Sequence, residues 1–266
     1  MDPKRESSSD DEEEGKDEMG SLDPGLPMPT GLLGQQKPPT HGVTTKLKRC
    51  YDPMSWEDFF DRRDMLWDEV PYYVAGDKGP VFFCLHGAGL SALSFAALAR
   101  EMKSDNTLVA FDWRGHGGNT MAEPDALSEE NLITDALRVL KYLALELEEF
   151  NERSFIILGH SMGGAIASKL TTHILQSEDE AELKARIKAY VIIDVVEGSA
   201  LDVLPMMEQI VKSRPQSFGS LEEVVKWGYM NNEAKFLESA RVSMPDRVVE
   251  QEDGTYRWRV DLMDSK

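Results

Sequence analysis

Between Val81 and Asp194 the apolar positions follow two alternating patterns. Val81-Phe82-Phe83-Cys84-Leu85-His86, Thr107-Leu108-Val109-Ala110-Phe111-Asp112, Phe155-Ile156-Ile157-Leu158-Gly159 and Tyr190-Val191-Ile192-Ile193-Asp194 are nearly unbroken apolar runs. Such runs predict strands buried on both faces. Between them, residues 91–103, 128–150 and 162–176 read as helices. The middle one opens at Ser128, has Glu130 shortly after, and repeats apolar residues at 132, 133, 136, 139, 140, 143, 144 and 147. That spacing predicts an amphipathic helix with a capped start. Alternating helices and wholly apolar strands predict an α/β class, a mostly parallel sheet with helices on both faces. Sites in such sheets form at the carboxyl ends of the strands, which is where chemistry is to be sought.

After the third strand comes Gly159-His160-Ser161-Met162-Gly163-Gly164, followed by a helix beginning Ala165-Ile166-Ala167. A bare G-x-S-x-G is weak, and a glycine-rich turn without chemistry is the plain alternative. Between a strand and a helix it predicts a nucleophile elbow, a tight turn that holds Ser161 exposed. The first strand ends in Leu85-His86-Gly87-Ala88-Gly89, either an ordinary glycine turn or the donor loop of an oxyanion hole. In the second reading Ala88 and Met162 supply the backbone N–H groups. Serine catalysis also needs a base and an acid that orients it. Asp194 ends the strand after the nucleophile's helix, on the same sheet edge as Ser161, and is the candidate acid; a turn-capping aspartate is the alternative. The second strand runs into Asp112-Trp113-Arg114-Gly115-His116-Gly117, where Asp112, Arg114 and His116 are expected to be structural. Over residues 81–197 the sequence resembles the α/β-hydrolase superfamily.

The composition narrows the classes further. Lys+Arg 29 against Asp+Glu 48 gives a net charge of −19, which argues against a nucleic-acid or anionic-membrane partner. Two cysteines, Cys50 and Cys84, are too few for a disulfide scaffold or a thiolate metal site. No apolar run approaches a membrane span and the acidic start is no signal peptide, so a soluble protein of a reducing compartment, cytoplasmic and/or nuclear, is expected. Residues 1–40 hold ten acidic and four basic residues together with Pro24, Pro27, Pro29, Pro38 and Pro39. Residues 1–45 therefore read as a disordered acidic, proline-rich tail, and 46–266 as the folded domain.

Among the five histidines no general base is evident. His41 lies in the tail and His86 in the donor loop, and His160 is expected to point away from the elbow. His173 is twelve residues along the helix from Ser161, about 18 Å at 1.5 Å per residue. His116 sits on a neighbouring loop, away from the base's usual place. In α/β-hydrolases the histidine comes last in chain order.

The match is narrower than a superfamily. Gly159-His160-Ser161-Met162-Gly163-Gly164-Ala165-Ile166-Ala167 and Ile193-Asp194-Val195-Val196-Glu197-Gly198-Ser199-Ala200 resemble the protein phosphatase methylesterases. So do Ser213-Arg214-Pro215-Gln216-Ser217-Phe218 and Leu237-Glu238-Ser239-Ala240-Arg241-Val242-Ser243-Met244, outside the shared hydrolase core. The likeness covers roughly residues 47–262. It implies an α/β-hydrolase fold with a helical cap over about 198–248. It also implies a serine carboxylesterase that removes the methyl ester from the C-terminal leucine of the type 2A protein phosphatase catalytic subunit. Ser161 falls on the family's nucleophile and Asp194 on its triad acid; no cofactor or metal is implied. Family members have a strand hairpin where this chain has the short segment between Phe60 and Pro80. They continue past the equivalent of Lys266 with the last strands and the catalytic histidine, so the fold is expected to be incomplete at its C-terminus and the sheet to keep an uncovered apolar edge. The alternatives are an inactive, truncated phosphatase-binding protein lacking that histidine, and a different esterase or lipase on the same scaffold.

Overall fold

The computed structural model describes residues 50–121, 127–194, 209 and 211–262. The tail expected over 1–45 and the start of the cap segment, with Met206 and Met207, lie outside these residues.

Strands β1 (Arg62–Leu66) and β2 (Val70–Ala75) form an antiparallel hairpin within the short segment between Phe60 and Pro80. Trp67 and Asp68 at its tip have φ of 53° and 60°, the positive pair that matches the twist of the flanking strands. Four parallel strands follow: β3 (Val81–Leu85), β4 (Thr107–Phe111), β5 (Phe155–His160) and β6 (Ile187–Ile193). The sheet order is β1-β2-β4-β3-β5-β6, with β2 antiparallel to β4.

Helices cover both faces. On one side α2 (Glu129–Lys141) and α3 (Met162–Gln176) pack over Phe83, Phe111, Trp113 and Ile157. On the other, α1 (Ala96–Met102) sits low on Cys84, Leu108 and Ala110 because Ala96 and Ala99 present little bulk. Ser128 caps α2 by accepting from the Asn131 N–H, worth about 1 kcal/mol. The α-helical ladder stops at Lys141, short of the predicted end. Tyr142–Glu146 continues as a π turn and Glu148–Phe150 as a 3-10 turn. Leu143 and Ala144 stay buried through this change, so the apolar spacing survives although the hydrogen-bond register does not. Arg186 donates to the carbonyls of Ala144 and Phe150 there. It belongs to α4 (Ala181–Arg186), a short helix that the apolar spacing did not predict.

A third apolar cluster lies between residues 218 and 258. Helices α5 (Leu221–Met230) and α6 (Leu237–Ser243) and the small hairpin β7 (Val248–Glu250) and β8 (Tyr256–Trp258) enclose Phe218, Val224, Val225 and Met244. Arg100 on α1 forks onto Glu238 of α6 at 2.7 and 2.8 Å.

β6 is the outer strand of the sheet, and it departs from the expectation of burial on both faces. Tyr190, Val191, Ile192 and Ile193 are 39–49% exposed, which accords with the uncovered edge implied by the family likeness. Among the described residues no helix is long and apolar enough to cross a membrane.

Candidate active site

Strand β5 ends at His160, and the chain turns into α3 at Ser161 with φ 53° and ψ −122°. A serine in this region costs about 1–3 kcal/mol and persists only where its surroundings hold it. Two close approaches do so. A Cβ on Gly159 would lie 2.2 Å from the Gly163 carbonyl oxygen, and one on Gly163 would lie 2.1 Å from that of Leu85. Glycine at both positions lets strand and helix meet. The Ser161 N–H donates to the Ile193 carbonyl at 2.9 Å, which ties the turn to β6.

The expected donor loop lies directly against this turn. A Cβ on Gly87 would be 3.2 Å from the Ser161 Cβ. Within the loop, Leu90 N–H donates to the Gly87 carbonyl at 3.2 Å and Gly89 N–H to His116 Nε2 at 2.9 Å. The N–H groups of Ala88 and of Met162, the first residue of α3, have no acceptor among the described residues. Met162 follows Ser161 directly, and Ala88 follows Gly87, which lies against Ser161. Gly89 is also held from the cap: Arg247 donates through Nε to its carbonyl at 2.7 Å and pairs with Glu233 at 2.9 Å. Sequence reasoning missed Arg247, because no motif or period marks one arginine between two cap elements.

Asp194 follows β6 with φ 56°, next to the residue that accepts from Ser161, and its carboxylate is largely exposed. His160 does not point away from the elbow as expected. Its Nε2 is 4.0 Å from Asp194 Oδ2, and its Nδ1 would lie 3.2 Å from a Gly87 Cβ. Partial burial holds its pKa below the ordinary value, and Asp194 opposes that shift.

The other histidines near the loop are fully committed. His86 donates through Nδ1 to the Gly87 carbonyl at 2.8 Å, while its Nε2 accepts from the Trp113 N–H at 3.2 Å. His116 donates through Nδ1 to the Arg114 carbonyl at 3.0 Å while Nε2 accepts from Gly89. Burial pushes both pKa values down, that of His86 far down, so both rings are neutral struts. His173 is exposed on α3. Among the described residues nothing hydrogen-bonds the Ser161 hydroxyl.

The Asp112 segment builds the floor. Asp112 is fully buried and accepts from Ala92 N–H at 2.7 Å and Gly118 N–H at 3.0 Å. Burial, reinforced by the Asp246 carboxylate, raises its pKa to about 8. Arg114 forks onto Asp135 of α2 at 2.5 and 2.6 Å. Among the described residues no three His, Cys, Asp or Glu side chains are grouped so as to hold a metal ion.

A serine at positive φ between a parallel strand and a helix lies within the region, residues 82–264, that matches the alpha/beta hydrolase family. The chain belongs to that family. Among its alpha/beta hydrolase relatives, a Caenorhabditis elegans protein named probable protein phosphatase methylesterase 1 is 35% identical over 86% of this chain and 61% of its own length. The Homo sapiens protein phosphatase methylesterase 1 is 33% identical over 86% of this chain and 58% of its own. The chain thus spans about three fifths of the length of these curated relatives. Of solved structures, E-2-(acetamidomethylene)succinate hydrolase superposes with a TM-score of 0.60 at 18% identity, over 77% of this chain and 69% of that one, a likeness of fold.

Proposed function

We propose that this chain carries the nucleophile, oxyanion and acid portions of a protein phosphatase methylesterase, acting on the C-terminal leucine methyl ester of a type 2A phosphatase catalytic subunit. The observation that carries the reading is Ser161, held at φ 53° between the open N–H groups of Ala88 and Met162. In this mechanism the Ser161 oxygen attacks the ester carbonyl as its proton passes to a histidine base. The N–H groups of Ala88 and Met162 hold the negative oxygen. The base returns the proton to the methoxide, methanol leaves, and water then releases the carboxylate from the acyl-enzyme. Asp194 orients the base. Neither His86 nor His116 fits that role, because both ring nitrogens of each are occupied. The same observation favours a second reading, in which the chain docks on a phosphatase without turning it over. Free Cys50 and Cys84 suit the cytoplasm or the nucleus.

The test is methanol release from a peptide ending in leucine methyl ester, with a short fatty-acyl ester as control and Ser161→Ala beside each. Release from the peptide alone, lost in Ser161→Ala, supports the esterase. Binding of the peptide without release supports docking. Preference for the fatty-acyl ester overturns both.

A further inference from the structure

Between residues 211–216 and 257–262 lies a cavity of about 420 Å3 whose described walls are strongly basic. Lys212, Arg214, Arg257 and Arg259 line it, against a single acid, Asp261. The local charge therefore opposes a chain of net charge −19. Pairing of the arginines does not neutralise their share of it. Glu233 is shared between Arg214, at 3.0 Å, and Arg247, at 2.9 Å, so two guanidiniums draw on one carboxylate. Both guanidiniums lie over the Trp258 ring, at 5.2 and 5.3 Å from its centroid, which fixes their planes. The Arg214 Nε–H is buried without an acceptor, and among the described residues Arg257 and Arg259 make no ion pair. Two arginines without an ion pair and a third with an unused buried donor, around a concave space walled by Trp258, are more than the fold needs.

The cavity adjoins the oxyanion loop. Leu262, one of its walls, covers Gly89: a Cβ on Gly89 would lie 3.0 Å from Leu262 Cδ1. We propose that this cavity is an anion subsite that receives a carboxylate side chain of the peptide whose esterified C-terminus is presented to Ser161. The proposal rests on the esterase reading of Ser161 and adds a preference for acidic sequence upstream of the ester. A polyanion such as nucleic acid is opposed by the overall charge, whereas one carboxylate on a short segment meets only the local field.

The test uses two fluorescein-labelled hexapeptide leucine methyl esters, one with glutamates and one with glutamines at the upstream positions. Anisotropy titrations on Ser161→Ala are read beside methanol release by the unaltered chain. The acidic peptide is expected to bind about ten-fold more tightly at low salt, with the preference shrinking as salt rises. The exposed pair Arg257→Gln and Arg259→Gln removes the preference, and Arg257→Glu turns it toward a lysine-bearing peptide. Unchanged circular dichroism in each variant excludes unfolding as the cause. Equal binding of the two peptides overturns the subsite whether or not methanol is released. Acidic preference without release keeps the subsite and overturns the esterase. A preference that survives both arginine variants overturns the assignment to this cavity.

Discussion

Arg247 Nε donates to the carbonyl oxygen of Gly89 at 2.7 Å, so a buried cation from the cap region fixes the loop that faces Ser161. Burial lowers its pKa and the shared Glu233 opposes that shift, leaving it charged. Removing one partner of a buried pair strands the other. Arg214 still serves Glu233, so Arg247→Leu is expected to cost about 2–4 kcal/mol, toward the low side of a full buried-pair loss. Chemical denaturation with and without Arg214→Leu measures it, and the double variant is expected to lose more than the sum of the two.

Ser161 stores backbone strain that glycine would not. Ser161→Gly is expected to stabilise the fold by about 1 kcal/mol, and Ser161→Ala is not. Urea midpoints at constant slope separate the two.

Two glycines in different turns, Gly163 and Gly115, are expected to behave very differently. Gly163→Ala drives a Cβ to 2.1 Å from a backbone oxygen, with no flexible side chain to yield. It is expected to cost more than about 3 kcal/mol or to prevent folding. Gly115→Ala has nothing within 4 Å and carries only its φ of +72°, a cost of about 1 kcal/mol. Thermal unfolding of both variants gives the comparison.

The Asp112 carboxyl titrates near 8 in the folded chain against an ordinary 3.8, and the Asp246 carboxyl is raised with it. Between those values the folded state binds more protons than the unfolded one, so stability falls as pH rises. The buried histidines oppose this at lower pH, because unfolded imidazoles are still about half protonated at pH 6.5 and neutral only above about 7.5. From pH 7 to 8 the unfolding free energy is expected to decline by about 0.5–1 kcal/mol, levelling off above 8. Asp112→Asn flattens that decline, measured by denaturation at each pH, although it lowers stability overall by spoiling an acceptor for Ala92 or Gly118.

The parallel core was legible because β3, β4 and β5 are long apolar runs with glycines at their ends, and tertiary packing there only reinforces local preference. The elbow was legible for a steric reason, since only glycine at 159 and 163 lets the strand and the helix approach this closely. The side-chain geometry was less so. The orientation of His160 depends on how β6 and Gly87 pack beside it, which no spacing records. Strands β7 and β8 are three residues each, too short for alternation to register. Arg247 acts through contacts with Gly89 and Glu233, 158 and 14 residues away in sequence.

The Ser161 turn is tied by a backbone bond to Ile193, the last residue of β6, where apolar side chains of both faces meet water. Strand edges of this kind open first. The chain therefore has an order of failure: on warming, β6 frays and Ser161 relaxes out of its strained turn while β3, β4 and β5 still hold the core. Hydrogen-exchange protection of the Ser161 amide would then fade several degrees below the loss of circular dichroism, so heat would open this turn before it unfolds the core.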